Sequence, residues 1–234
     1  MVRLTKTREI DMTWLAAAVA PLNHVVFNLG KDAVSWAELL GFLTGAVCVW
    51  LTVRSRISNF PVGIANSAFF LVLFAATRLW ADSALQIIYI VLGFVGWWQW
   101  LRGPTTRTLK VARASRTSLA WCLVFVVLGT YILTLILRGA HDIAPFWDAL
   151  TTCLSLAAQW LLNAKRVETW FFWIAADCVY IPLYIVKRLD LTAVVYVIFL
   201  GMCIAGLRAW LTTYRAEQRS VEASVTTALV AERV

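Results

Sequence analysis

Long apolar runs, each ended by a basic or turn-forming cluster, set the pattern of this chain. Seven stand out: Trp36 to Val53, Phe60 to Thr77, Ser83 to Leu101, Leu119 to Leu137, Phe146 to Asn163, Thr169 to Val186 and Leu191 to Leu207. A helix rises about 1.5 Å per residue, so about 20 residues cross about 30 Å of hydrocarbon. The strict alternation of a barrel strand is absent. Lipid offers no partner to a free backbone group, so the runs are predicted as helices and the fold class as an all-α, polytopic membrane protein. An eighth stretch, Met12 to Leu29, begins apolar but then carries Pro21, Asn23, His24 and Asn28. Polar and helix-breaking residues so closely spaced are costly at bilayer depth, which favours an interfacial helix over an eighth span or a signal-peptide-like start.

Sliding the chain 110 positions along itself pairs Trp50 with Trp160, Arg56 with Arg166, Arg78 with Arg188, Gly96 with Gly206 and Trp100 with Trp210. Trp, Gly and Arg mark interface depth and turns, so their register carries more weight than matched leucines. Spans one to three therefore repeat as spans five to seven. Four spans separate equivalent helices, so both halves run the same way around one inverting helix, a seven-helix 3+1+3 arrangement of parallel repeats. The predicted divisions are an N-terminal segment (1–35), a first repeat (36–102), a basic loop and linker helix (103–145), a second repeat (146–212) and a tail (213–234) read as exposed or frayed helix. Parallel repeats about an axis along the membrane normal are a transporter construction, with the solute held near the midplane.

Composition sharpens this reading. The chain is 61% apolar and 15% charged, against about 45–50% and about 25% in soluble domains. A net charge of +8 would otherwise raise the question of nucleic acid. Counted over the seven spans, however, twelve Lys and Arg up to Arg219 (among them Arg54, Lys110, Arg166 and Arg208) fall on one side, against five (Lys31, Arg78, Arg138, Lys187 and Arg188) on the other, plus Arg3, Lys6 and Arg8 in the N-terminal head. The richer side is the cytoplasm, the C-terminus lies there, and no nucleic-acid partner is expected. The five Cys show no CxxC spacing, and both histidines, His24 and His141, lie outside the core spans. No catalytic residue, metal or cofactor is therefore expected. A channel is disfavoured because no filter-like loop lies between spans.

The informative chemistry is polar and aromatic residues within the runs. Asp177 is the one acid well inside a span, and an ionisable group costs at least about 2.5 kcal/mol at bilayer depth, so it reads by default as a cavity residue. Trp173, Asp177 and Tyr180 follow one another at helical spacing on one face, a wall suited to a flat cationic ring held by stacking and cation–π attraction. Asn66, Gln86, Tyr89, Gln159 and Tyr196 complete the candidate substrate contacts, although Asn and Gln also serve as glue between helices. Trp97, Gln99 and Asn163, near cytoplasmic helix ends, are candidate gate or interfacial residues. Of the thirteen Trp, Trp36, Trp80, Trp100, Trp147 and Trp210 fit an aromatic belt at the headgroups. A homo-oligomer and surrounding lipid are compatible with this pattern.

The runs SWAELLGFLTGAVCVWLTVRSRISNFPVGIANSAFF (Ser35 to Phe70), ADSALQIIYIVLGFVGWWQW (Ala81 to Trp100) and WFFWIAADCVYIPLYIVKRLDLTAVVYVIFL (Trp170 to Leu200) resemble the PnuC family of bacterial vitamin transporters. The resemblance spans about Ser35 to Trp210 and rests on the GWWQW ending, the NFPVGIAN entry and the Asp-Tyr-Pro-Tyr helix. It implies a SWEET-like 3+1+3 fold in the bacterial inner membrane, carrying nicotinamide riboside by facilitated diffusion, with a cytoplasmic ribosyl-nicotinamide kinase trapping the product. Relatives that carry thiamine or riboflavin are the alternative. The pyridinium would suit Trp173, Tyr180 and Asp177, and the ribose hydroxyls Asn66, Gln86 and Gln159. The absence of Lys or Arg within the spans argues against a phosphorylated solute.

Overall fold

The computed structural model describes residues 17, 19–29, 32–76, 80–102, 109–139, 144–186 and 190–231. Its core is seven helices: α1 (Trp36–Val53), α2 (Asn59–Ala76), α3 (Trp80–Arg102), α4 (Arg116–Gly139), α5 (Pro145–Asn163), α6 (Thr169–Val186) and α7 (Asp190–Ala231). Each coincides with a predicted run, with ends that differ by a few residues. The exception is α7, which carries on without a break through the predicted span end and tail boundary for 42 residues.

The N-terminal segment departs from the expected interfacial helix. A short 3-10 turn over Ala20–Asn23 gives way to β1 (Val25–Leu29), which pairs antiparallel with β2 (Asp32–Ser35). The physical reason is local: Pro21 fits the first turn of a helix, while the β-branched pair Val25 and Val26 favours extended backbone. Residues 12–16 of the predicted helix lie outside the described ones. The hairpin ends by presenting Ser35 as the N-cap of α1, where its hydroxyl accepts from the Glu38 amide while the Glu38 carboxylate accepts from the Ser35 amide. This capping box satisfies two donors that a helix start leaves free.

Six helices are long and apolar enough to cross a membrane; among the described residues α5 is not. Its lower hydropathy follows from its position. It packs against α3, α4 and α6, and buries Thr151, Ser155 and Asn163 together with Ala149, Ala157 and Ala158. Thr151 and Ser155 donate their hydroxyls back to the Trp147 and Thr151 carbonyls. With protein on several sides, α5 has less need of a lipid-compatible surface. Helix α4 has the opposite character, leaving Trp121, Val127 and Tyr131 exposed.

Helix α2 packs between α1 and α3 as α6 packs between α5 and α7, and the triplets meet through α1 with α7 and α3 with α5. Atomic contacts recur at the same 110-residue interval. Helix α1 ends with Ser55 at φ 51° and α5 with Lys165 at φ 52°. The Ser55 and Arg56 amides donate to Thr52 and Leu51, as the Lys165 and Arg166 amides donate to Leu162 and Leu161. Both are left-handed caps that satisfy terminal carbonyls. Phe60 meets Trp100 edge to face at 5.1 Å, and Trp170 meets Trp210 edge to face at 5.5 Å. The Trp100 indole donates to the Leu162 carbonyl at 3.2 Å, and the Trp210 indole to the Thr52 carbonyl at 3.1 Å. Trp100 and Trp210 are thus core residues, 6% and 1% exposed, and not members of an aromatic belt.

The segment before α4 lies across this aromatic cluster. Ala112 donates to the Lys165 carbonyl and accepts from the Val167 amide, Glu168 accepts from the Ala114 amide, and Arg166 donates to the Arg113 carbonyl. These bonds place Val111, 4% exposed, among Phe60, Trp100, Trp170 and Trp210. The Lys165 ammonium donates to the Leu109 carbonyl at 2.9 Å and sits 4.4 Å from the Trp100 ring centre. Burial pushes this ammonium down from its ordinary pKa, while Glu217 opposes the shift.

Candidate functional site

One cavity of about 380 Å³ lies between the two triplets, lined from α1, α2, α3, α5, α6 and α7. Pockets that hold small molecules run from about 300 to 1,000 Å³ and are mostly apolar, with a few placed polar groups. All eight candidate substrate contacts line it: Asn66 of α2, Gln86 and Tyr89 of α3, Gln159 of α5, Trp173, Asp177 and Tyr180 of α6, and Tyr196 of α7.

The α6 wall follows from helical spacing, which brings Trp173, Asp177 and Tyr180 to one side. Asp177 is 4% exposed, with the Cys203 thiol beside it, and its Oδ2 has no hydrogen-bond partner. Above it the aromatic surface is continuous. Tyr180 and Tyr196 have ring centres 4.6 Å apart, and Tyr184 stacks on both at 5.6 and 5.1 Å. The phenols of Tyr89 and Tyr180 lie against Ser155. A carboxylate oxygen without a partner, set in an aromatic wall, attracts a planar cation.

Of the three candidate amides, those of Asn66 and Gln159 are tied down. Asn66 donates through Nδ2 to the Gly41 carbonyl at 3.1 Å and to the Thr44 hydroxyl at 2.6 Å. Gln159 donates through Nε2 to Asn163 Oδ1 at 3.0 Å.

The candidate gate residues lie elsewhere. None of Trp97, Gln99 and Asn163 lines the cavity. Asn163 is 1% exposed and donates to the Leu92 carbonyl at 2.8 Å, so it joins α5 to α3 inside the bundle and is not interfacial. Its oxygen lies where a side chain on Gly96 would fall, so a glycine is needed for this approach. Trp97 packs at the margin of the aromatic cluster of Phe60, Trp100, Trp170 and Trp210.

Trp170 and Ser67 line the cavity unanticipated. Trp170, 1% exposed, keeps an indole N–H without a partner. It precedes Asp177 by seven residues and so shares its face, a signal available in the sequence. Ser67 precedes Asp177 by 110 positions, so the repeat places a hydroxyl in one half where the other has a carboxylate.

A bundle of apolar helices around a cavity with polar and aromatic walls defines a multi-pass membrane protein of the carrier class. The family model for the nicotinamide mononucleotide transporter matches residues 35–212. The chain belongs to this family, that of the PnuC vitamin transporters. It is 24% identical over 222 residues to the nicotinamide riboside transporter PnuC of Escherichia coli K12, covering 83% of this chain and 92% of that one. It is 25% identical over 207 residues to the riboflavin/roseoflavin transporter RibM of Streptomyces davaonensis, covering 86% and 96%. A crystal structure of the vitamin B3 transporter PnuC superposes with a TM-score of 0.65 at 21% identity, over 91% of this chain and 94% of that one. Its likeness supports the fold.

Proposed function

We propose that this transporter carries nicotinamide riboside across the bacterial inner membrane by facilitated diffusion, with a cytoplasmic ribosyl-nicotinamide kinase consuming the arriving solute. The observation that carries this reading is the buried, half-partnered carboxylate of Asp177 within an aromatic wall. A permanently cationic pyridinium supplies the missing charge without a proton, and Trp173 and Tyr180 supply π faces. The ribose hydroxyls then fall to Asn66, Gln86 and Gln159. The 3+1+3 parallel arrangement, supported by the contacts repeated at 110 residues, would place this site at the interface of the halves, with the C-terminus in the cytoplasm. Riboflavin is the second reading, favoured by the likeness to RibM, but its neutral ring brings no positive charge to Asp177.

Titration of the purified protein with nicotinamide riboside, thiamine and riboflavin tests the choice. Asp177→Asn should weaken the riboside by about tenfold or more, equivalent to about 1.4 kcal/mol, and leave riboflavin binding little changed. Uptake into proteoliposomes should proceed without an ion gradient. Binding of riboflavin in place of the riboside, or an unchanged affinity in Asp177→Asn, overturns the proposal.

A further inference from the structure

The two tethered amides of the cavity are held in one sense by groups that allow no other. The Gly41 carbonyl can only accept, so it fixes the Asn66 nitrogen toward α1. Thr44 commits its own hydrogen to the helix behind it, donating to the Leu40 carbonyl at 2.7 Å and lying 3.2 Å from that of Gly41. Its lone pair is thereby left to accept the second Asn66 hydrogen. Both Asn66 hydrogens are spent on protein, and Oδ1 is the edge that remains. On the other side, the Leu92 carbonyl fixes the nitrogen of Asn163. Asn163 Oδ1 must then face Gln159, which donates from Nε2 and keeps Oε1 free of any partner among the described residues. Turning either amide over would set oxygen against oxygen. With Asp177 Oδ2, Asn66 Oδ1 and Gln159 Oε1 make three oxygen acceptors among the groups lining the cavity.

We infer that Thr44 and Asn163 are positioning residues that set Asn66 and Gln159 as an acceptor rim, which selects solutes rich in hydroxyl or N–H donors. The inference rests on the function proposed above for its choice of probe, since the ribose hydroxyls are the donors expected at Asn66 and Gln159. A solute with acceptors alone at these positions leaves the rim oxygens unpaired, and specificity of this kind exceeds what apolar fit supplies.

The test compares nicotinamide riboside with its 2′,3′-dideoxy-2′,3′-difluoro analogue, which is similar in size but lacks the two hydroxyl hydrogens, by calorimetric titration of the full chain. The wild type should prefer the riboside by about tenfold or more. In Thr44→Val the Gly41 carbonyl still holds the Asn66 nitrogen, but its second hydrogen loses its partner and becomes free for an acceptor on the solute. In Asn163→Ala the Gln159 amide is released and can turn an N–H inward. Each variant should narrow the preference to about threefold or less, while Thr44→Ser, which keeps the lone pair, restores the wild-type ratio. Damage to packing alone lowers both affinities and leaves their ratio alone. An unaltered ratio in both variants overturns the inference, as does a wild type that binds riboside and analogue equally. A wild type that takes riboflavin and refuses the riboside overturns the proposed function instead. The rim is then judged by lumiflavin, which lacks the ribityl hydroxyls: binding at least about tenfold weaker than riboflavin supports it, and equal binding overturns it.

Discussion

Ser55 and Lys165, at φ 51° and 52°, are the non-glycine residues with a left-handed backbone among those described. A side chain in that region costs about 1 kcal/mol, and helices usually end with glycine there. Ser55→Gly should therefore raise stability by about 0.5–1 kcal/mol, or a few degrees in the thermal midpoint for a chain of this size. Lys165→Gly should show no such gain, because it also removes the bond to the Leu109 carbonyl and the contact over Trp100. Thermal unfolding of both variants in one detergent checks the contrast. Neither cap was legible in the sequence, since serine and lysine carry no turn signal at these positions. The cavity residues were legible for the opposite reason. An Asp, Asn or Gln in an apolar run is an anomaly that needs a partner, and Asp177, Asn66 and Gln159 all proved to line one space. What the sequence withheld was which edge of each amide faces inward. That depends on Thr44 lying beside Asn66 and Leu92 beside Asn163, contacts set by the packing of separate helices.

Helices were legible as elements wherever the run was long and apolar, because lipid permits little else. Short elements were not. The hairpin over Val25–Leu29 and Asp32–Ser35 was masked by the apolar stretch that precedes it. The strap of residues 109–115 reads as one more basic loop, since Val111 lies in a short segment broken by Lys110 and Arg113 with no run long enough to signal an element. Its burial comes from backbone pairing with residues more than fifty positions away. Val111→Ala removes two methyl groups from the aromatic cluster and should cost about 1.5–2 kcal/mol, whereas Lys110→Ala, at an exposed neighbour, should fall within about 0.5 kcal/mol of the wild type. Comparison of their thermal midpoints checks this. Equal midpoints would mean that the strap contributes nothing to holding this end of the bundle together.

At the scale of the molecule, the repeat predicts energetics as well as shape. The indole of Trp100 reaches from the first triplet to the Leu162 carbonyl in the second, and that of Trp210 reaches back to the Thr52 carbonyl in the first. Residues 52 and 162, like 100 and 210, are 110 apart, so each bond is the image of the other. Each carbonyl also accepts from its own loop, Thr52 from the Ser55 amide and Leu162 from the Lys165 amide. Removing the indole N–H therefore does not strand the carbonyl, and the loss is that of one hydrogen bond, about 0.5–1.5 kcal/mol, plus the repacking of a smaller ring. Trp100→Phe and Trp210→Phe should accordingly destabilise by similar amounts. The indoles also touch each other, with ring centres 6.2 Å apart, so the double variant should depart from additivity, as contacting residues do. Thermal or denaturant unfolding of the two single variants and the double variant measures both quantities. A large cost at one site with none at the other would show that a single bond carries the join between the triplets, and that the symmetry of the contacts is not a symmetry of the forces.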